Sequence, residues 1–232
     1  MIRIDALTKR YGATLAVDRL SFTVPTGQVT GFLGANGAGK STTLRAILGL
    51  DRPTSGRALV HDRPYSSYRH PLRVVGAALD AQAANDGLPA RTHLLALARS
   101  NGIAPNRVDE VLDEVGLEGM AQRRIRALSL GMKQRLAIGA ALLGDPEALL
   151  FDEPLNGLDP EGIRWFRALT ARLAEQNKAV LISSHLMSEM ARTADRVVII
   201  GHGRLLAEEA IHALGPSLEE AYIRLTEGAT HV

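Results

Sequence analysis

The stretch that decides the fold is Val29-Thr30-Gly31-Phe32-Leu33-Gly34-Ala35-Asn36-Gly37-Ala38-Gly39-Lys40-Ser41-Thr42. Val29 to Leu33 is a short apolar run, which predicts a buried strand. Lys40 to Leu50 carries a helical pattern that stops before Pro53. Glycines at 34, 37 and 39 lie between the two. Such a loop lets the backbone wrap an anion with inward N–H groups, and the helix N-terminus adds a favourable dipole.

Residues 34–41 fit G-x-x-x-x-G-K-[ST], and they sit between strand and helix as that pattern requires. The reading is a phosphate cradle built by Gly34, Ala35, Asn36, Gly37, Ala38 and Gly39. Lys40 is expected to reach the β- and γ-phosphates, and Ser41 to ligate Mg²⁺. Thr42 offers a further hydroxyl to the α-phosphate. Alone, this pattern says P-loop nucleotide hydrolase and no more.

Composition narrows the field. The chain has 232 residues and 46% hydrophobic content, enough for one domain with a sizeable core. It has no cysteine, which excludes a disulfide scaffold, a thiolate metal site and a catalytic thiol. Its 27 basic and 25 acidic residues nearly balance, so no nucleic-acid partner is expected. No apolar run approaches the roughly 18–20 residues that span a bilayer. The start, MIRIDALTKRYG, carries no secretory signal pattern. Work at a membrane would therefore need a partner.

Outward from the glycine loop, the pattern is α/β. Alternation over Ile2–Leu7 and Leu20–Val24 predicts exposed-edge strands. Further strands are expected over Arg57–His61 and Val74–Leu79. Residues 90 to 127 read as purely helical, with Val108, Val111, Leu112 and Val115 on one face, Asn106 as N-cap and Gly116 as C′. Then come helix Gly131–Leu143, strand Ala148–Phe151 and a helix opened by Asp159-Pro160. Ile163, Phe166, Leu169 and Leu173 line one face of that helix. Strand Ala179–Ser183, helix Leu186–Ala194 and strand Arg196–Ile200 follow. "GHG" at 201–203 turns a hairpin into Arg204–Ala207. A last helix, Ser217–Thr226, leaves a loose polar tail. Alternating βα units with short apolar strands imply a mainly parallel, helix-covered sheet.

Ala148-Leu149-Leu150-Phe151-Asp152-Glu153 is an apolar run ending in two carboxylates. A parallel strand ending this way puts them at the sheet's carboxyl edge, beside the glycine loop. Asp152 suits the Mg²⁺ hydration shell, and Glu153 suits a general base on the attacking water. Three weaker pieces follow in order. They are Leu128-Ser129-Leu130-Gly131-Met132, Asn156-Gly157-Leu158-Asp159, and His185 after the apolar run 179–183.

With these pieces the sequence resembles the ATP-binding subunit of an ABC transporter, from Tyr11 to about Ala207. Lys40 to Asp152 spans 112 residues, Ser129 to Asp152 spans 23 and Asp152 to His185 spans 33, like a compact ABC ATPase. The resemblance implies a RecA-like parallel core with an N-terminal antiparallel β subdomain and an inserted α-helical subdomain. A single cassette over 1–232 would divide into a core of 1–88 and 129–210, a helical part at 89–128, and a C-terminal helix and tail at 211–232. It implies ATP and Mg²⁺ as cofactors, Glu153 and His185 as hydrolytic residues, and Tyr11 stacked on adenine. Ser129 and Gly131 would complete the γ-phosphate site of a second ATPase subunit, with Asp159 in the D-loop. The dimer, homo- or heteromeric, would drive a separate transmembrane permease from the cytoplasmic face of the membrane.

The sequence departs from the family in two places. Leu130 and Met132 replace Gly and Gln of the common LSGGQ signature. "LSLGMKQRL" and the tail "PSLEEAYIRLT" are similar to exporter-type ATPases of antibiotic and bacteriocin resistance. At the expected Q-loop, Asp80 takes the glutamine's place, with Gln82 two residues on. Asp80 is one candidate for a Mg²⁺-bound water; Gln82 is the other γ-phosphate sensor. The loop Asp80–Arg91 would touch the permease. Two rival readings are a nucleic-acid or ribosome clamp of ABC type and a small-molecule kinase. Steeply salt-dependent nucleic-acid binding would mark the first. Phosphoryl transfer to a metabolite would mark the second.

Overall fold

The computed structural model describes residues 1–215 and 217–229. Two sheets carry the molecule. The small one is antiparallel, with β1 (Ile2–Tyr11) between β2 (Thr14–Val24) and β4 (Ser55–Val60). The large one runs β5-β6-β7-β3-β8-β9, from β5 (Val75–Ala78) through β6 (Ala148–Asp152), β7 (Ala179–Ser184), β3 (Gln28–Leu33) and β8 (Arg196–Gly201) to β9 (Arg204–Ala210). All its pairings are parallel except β8–β9, the expected hairpin.

Side-chain alternation sorts the core into two layers. Ala179 and Leu181 of β7 join Phe32, Leu150 and Val198 on the face toward the small sheet. There they meet Ile2, Ile4, Phe22, Leu44 and Ile47. Val180 and Ile182 face the other way, with Leu149, Phe151 and Val197. That layer is closed by α5 (Pro160–Glu175), whose Phe166 meets Phe151 edge-on at 5.2 Å. Because β3, β6, β7 and β8 are buried on both faces, their sequences read as continuous apolar runs.

Several expectations need correction. β1 is not an exposed edge: it is the middle strand of its sheet. Its alternation breaks at Ala6, which sits at φ 45 where the pairing slips, and Leu7 rather than Ala6 points inward. Gly56 (φ 74) lies against this bulge, and a Cβ there would stand 2.2 Å from the Ala6 carbonyl. The helix α1 spans Lys40–Ile47, ending short of Leu50 because Gly49 turns left-handed at φ 65. Residues 90–127 are not purely helical: they hold α2 (Ala90–Ser100), α3 (Asn106–Glu114) and short 3-10 turns. Asn106 is the first residue of α3, not its cap. Pro105, at φ −60, starts the turn, and the Asn106 amide donates to Glu110. Gly116 is left-handed at φ 68, as a C′ residue requires.

Further on, α4 spans Leu130–Leu142 and lies on β5. α6 (Met187–Ala191) stops before Ala194, because the Thr193 and Ala194 N–H groups both turn back to the Met190 carbonyl. α7 spans Leu218–Ala229, so it continues through 227–229 where a tail was expected, and the rest of that tail, 230–232, lies outside the described residues.

Candidate active site

The glycine loop leaves β3 and returns as α1 over the carboxyl edge of the large sheet. Two of its glycines are there because nothing larger fits. A Cβ on Gly39 (φ 105) would stand 2.6 Å from the Ala16 carbonyl, and one on Gly34 2.8 Å from the Ile200 carbonyl. The N–H groups of Gly39, Lys40, Ser41 and Thr42 have no acceptor among the described residues. Four unpaired donors at a helix N-terminus form an anion site. They edge a cavity of about 200 Å³ lined also by Ala35, Asn36, Gly37 and Glu153.

Lys40 is buried, at 6% exposure. Its ammonium donates to the carbonyls of Gly34 at 2.7 Å and Ala35 at 3.3 Å, and lies 3.7 Å from Glu153 Oε1. These partners hold a cation in place at the loop's mouth. A phosphate entering the cradle would compete for it.

The strand order sets the rest. β6, β7 and β3 are neighbours, so Asp152, Ser183 and the glycine loop emerge side by side. Ser183 is fully buried; its hydroxyl donates to Asp152 Oδ1 and accepts the Glu153 N–H at 3.0 Å. Glu153 then turns left-handed, at φ 48, an uncommon conformation for a residue with a side chain. Its Oε2 lies 2.8 Å from His185 Nδ1, one residue beyond β7. One carboxylate thus stands between an imidazole and an ammonium, at the cavity wall.

Ser41 and Asp152 supply hydroxyl and carboxylate oxygens, the hard donors that Mg²⁺ takes while keeping several waters. The Ser41 hydroxyl is engaged by no other described group. No group of three or more His, Cys, Asp or Glu gathers as a metal cage among the described residues. One hydroxyl and one carboxylate are a donor set that Mg²⁺ can share with waters and phosphate oxygens.

Other residues singled out from the sequence lie elsewhere. Tyr11 is at the end of β1, 46% exposed, with its hydroxyl donating to Asp51 Oδ2 at 2.6 Å. That bond raises the phenol's pKa. Ser129 caps α4, accepting the Met132 N–H at 3.2 Å. Gly131 lies against Gly157; a Cβ there would stand 2.8 Å from the Gly157 carbonyl. Asp159 caps α5 through the Gly162 N–H at 2.7 Å. None of Ser129, Gly131 and Asp159 lines the cavity beside Lys40 of the same chain. Asp80 is not brought to the cradle either. It accepts the Gln82 N–H at 2.8 Å and lines a separate cavity of about 430 Å³ with Arg45, His93 and Lys133. Its short side chain closes a local turn where a longer glutamine would reach out. Ser183 is a site residue that the sequence marks only faintly. Its only signal is a polar pair, Ser183-Ser184, ending an apolar run.

The parallel sheet, the glycine cradle and the acid pair beside it define a nucleotide-hydrolysing cassette. The sequence pattern of the ABC transporter family matches residues 17–156, and the chain belongs to that family as an ATP-binding subunit with ATPase chemistry. It is 44% identical to the bacitracin transport ATP-binding protein BcrA of Bacillus licheniformis, over 90% of this chain and 69% of that one. It is 33% identical to the lantibiotic transport ATP-binding protein SrtF of Streptococcus pyogenes, over 96% of each. A solved ATP-binding subunit of an ABC transporter superposes with a TM-score of 0.88 at 26% identity, covering 97% of this chain and 99% of that one. The transport reading holds over the nucleic-acid or ribosome clamp.

Proposed function

We propose that this ATP-binding subunit powers export of a peptide antibiotic or similar small molecule through a separate membrane permease. It would do so from the cytoplasmic face, as a dimer of ATPase subunits with Mg-ATP between them. The single observation that carries the chemistry is the carboxylate of Glu153 set between His185 and Lys40 at the cradle wall. Export of such cargo is supported by the printed functions of the relatives. No helix among the described residues is long and apolar enough to cross a membrane, which suits a subunit that acts through a partner.

The chain's own groups divide the work. The N–H groups of 39–42 and Lys40 hold the phosphates. Glu153 accepts a proton from the attacking water, and His185 fixes the carboxylate's direction. Ser41 and Asp152 would hold Mg²⁺, which when bound offsets charge on the phosphate oxygens. Ser183 keeps Asp152 aimed. The Ser129 hydroxyl accepts within its own helix, so its proton remains free to be donated. With the Gly131 N–H it suits a γ-phosphate held on a second subunit.

The test is antibiotic tolerance in cells expressing the chain with its permease. Tolerance to bacitracin or a lantibiotic should rise, and Glu153→Gln should remove the gain. Unchanged tolerance to both, with both subunits expressed, would count against export of this cargo.

A further inference from the structure

Asp51 lies just past α1, outside the phosphate cradle, and joins Tyr11 of β1 to Arg45 of α1. Its Oδ2 accepts from the Tyr11 hydroxyl at 2.6 Å and from Arg45 Nε, on α1, at 2.8 Å. The carboxylate is largely shielded, and Arg45, then Tyr11, hold its pKa below the usual range. The Thr42 hydroxyl faces the same phenol oxygen from the first turn of α1. Lys9 closes one side of the ring: its ammonium sits 4.8 Å from the ring centroid and is itself tied to the Arg52 carbonyl at 2.8 Å.

Tyr11 is thus gripped at its hydroxyl and on one face, while remaining about half exposed. A free tyrosine on a strand end would lose rotamer freedom each time a base stacked on it. Here that loss is met beforehand, and the open face is left for a flat, uncharged ring. A short O–H···O⁻ bond is among the stronger kinds, so one carboxylate is sufficient to fix the phenol.

We infer that Asp51 is a positioning residue for nucleotide binding, holding Tyr11 so that its free face receives the purine. The inference rests on the reading of Tyr11 as the adenine-stacking residue. Asp51 acts on the base alone. The triphosphate is held by separate groups, the N–H donors of 39–42 and Lys40.

That separation supplies the test. Calorimetric titration of the full chain with ATP, and separately with inorganic tripolyphosphate, reads base and phosphate binding apart. Asp51→Asn should weaken ATP binding about three- to tenfold and leave tripolyphosphate binding unchanged. Tyr11→Phe keeps the ring and the Arg45–Asp51 pair, so it should match Asp51→Asn. The double variant should be no weaker than either. Tyr11→Ala should lose more. If Asp51→Asn weakens both ligands equally, Asp51 only braces α1 and the inference is overturned. If Tyr11→Ala weakens ATP while Asp51→Asn and Tyr11→Phe do not, stacking stands and the positioning role falls. If Tyr11→Ala leaves ATP binding intact, the stacking reading fails and the inference with it.

Discussion

His185 Nδ1 and Glu153 Oε2 are 2.8 Å apart, although 32 residues separate them in the chain. The second oxygen of that carboxylate is 3.7 Å from Lys40. Such a carboxylate is directed at one end and charge-compensated at the other. Glu153→Gln keeps the size and loses the base. Turnover should fall by on the order of 10²-fold or more with ATP binding retained. An ATPase assay beside a nucleotide titration checks this, and size-exclusion chromatography should show an ATP-trapped dimer. Wild-type turnover in the variant would remove Glu153 from the chemistry.

Lys40→Ala takes the ammonium from a buried place where it meets two carbonyls and a carboxylate. Binding of ATP should be abolished at concentrations that saturate the native chain, because the cradle loses its one inward cation. Circular dichroism should stay native, since the loop's glycine packing does not use Lys40. ATP affinity equal to the native chain's would sink the cradle assignment.

Ser183→Ala removes one hydroxyl that serves both Asp152 and the Glu153 N–H. The backbone carbonyl of Ser183 still accepts from Glu153, at 3.2 Å, so the turn should survive. We expect a stability loss of about 0.5–1.5 kcal/mol, the usual net contribution of a hydrogen bond, because Asp152 is only partly buried. Turnover should drop by roughly tenfold as Asp152 loosens. Urea melts and Mg²⁺-dependence of the ATPase rate would measure the two effects; an unchanged Mg²⁺ optimum would argue against the second.

Arg91, on α2, donates twice to Asp109 on α3, at 2.7 and 2.8 Å. The guanidinium holds the Asp109 carboxyl below its usual range. A depressed carboxyl stabilises the fold above its unfolded pKa, and that contribution is lost as pH falls through the folded value. Arg91→Gln should therefore melt below the native chain near pH 7, and the gap should close below about pH 4. A gap that persists undiminished in acid would mean Arg91 acts through packing instead.

The linear chain already held most of the parallel core. Its strands are buried on both faces, so they carry runs of Val, Leu, Ile or Phe, as at 149–151 and 180–182. The cradle was equally legible, because its glycine spacing, the strand before it and the helix after it are all written in one short stretch of chain. Reading was weaker where a residue's setting is decided by a distant strand. The middle place of β1 depends on β4, which pairs with it some fifty residues later, and the Ala6 bulge hides the alternation. Asn106 shows the same limit: Pro105 starts the turn, so the residue that looks like a cap is the first of α3.

By itself, then, the sequence determined the phosphate loop, the acid pair and the βα alternation, because each is a pattern carried by residues close together in the chain. Only the tertiary structure decided which side chains share one site. Placing β7 between β6 and β3 brings Ser183 to Asp152 and His185 to Glu153. Folding β1 beside α1 brings Tyr11 to Asp51. Those juxtapositions depend on strand order and on chain reversals tens of residues apart, which no local pattern encodes.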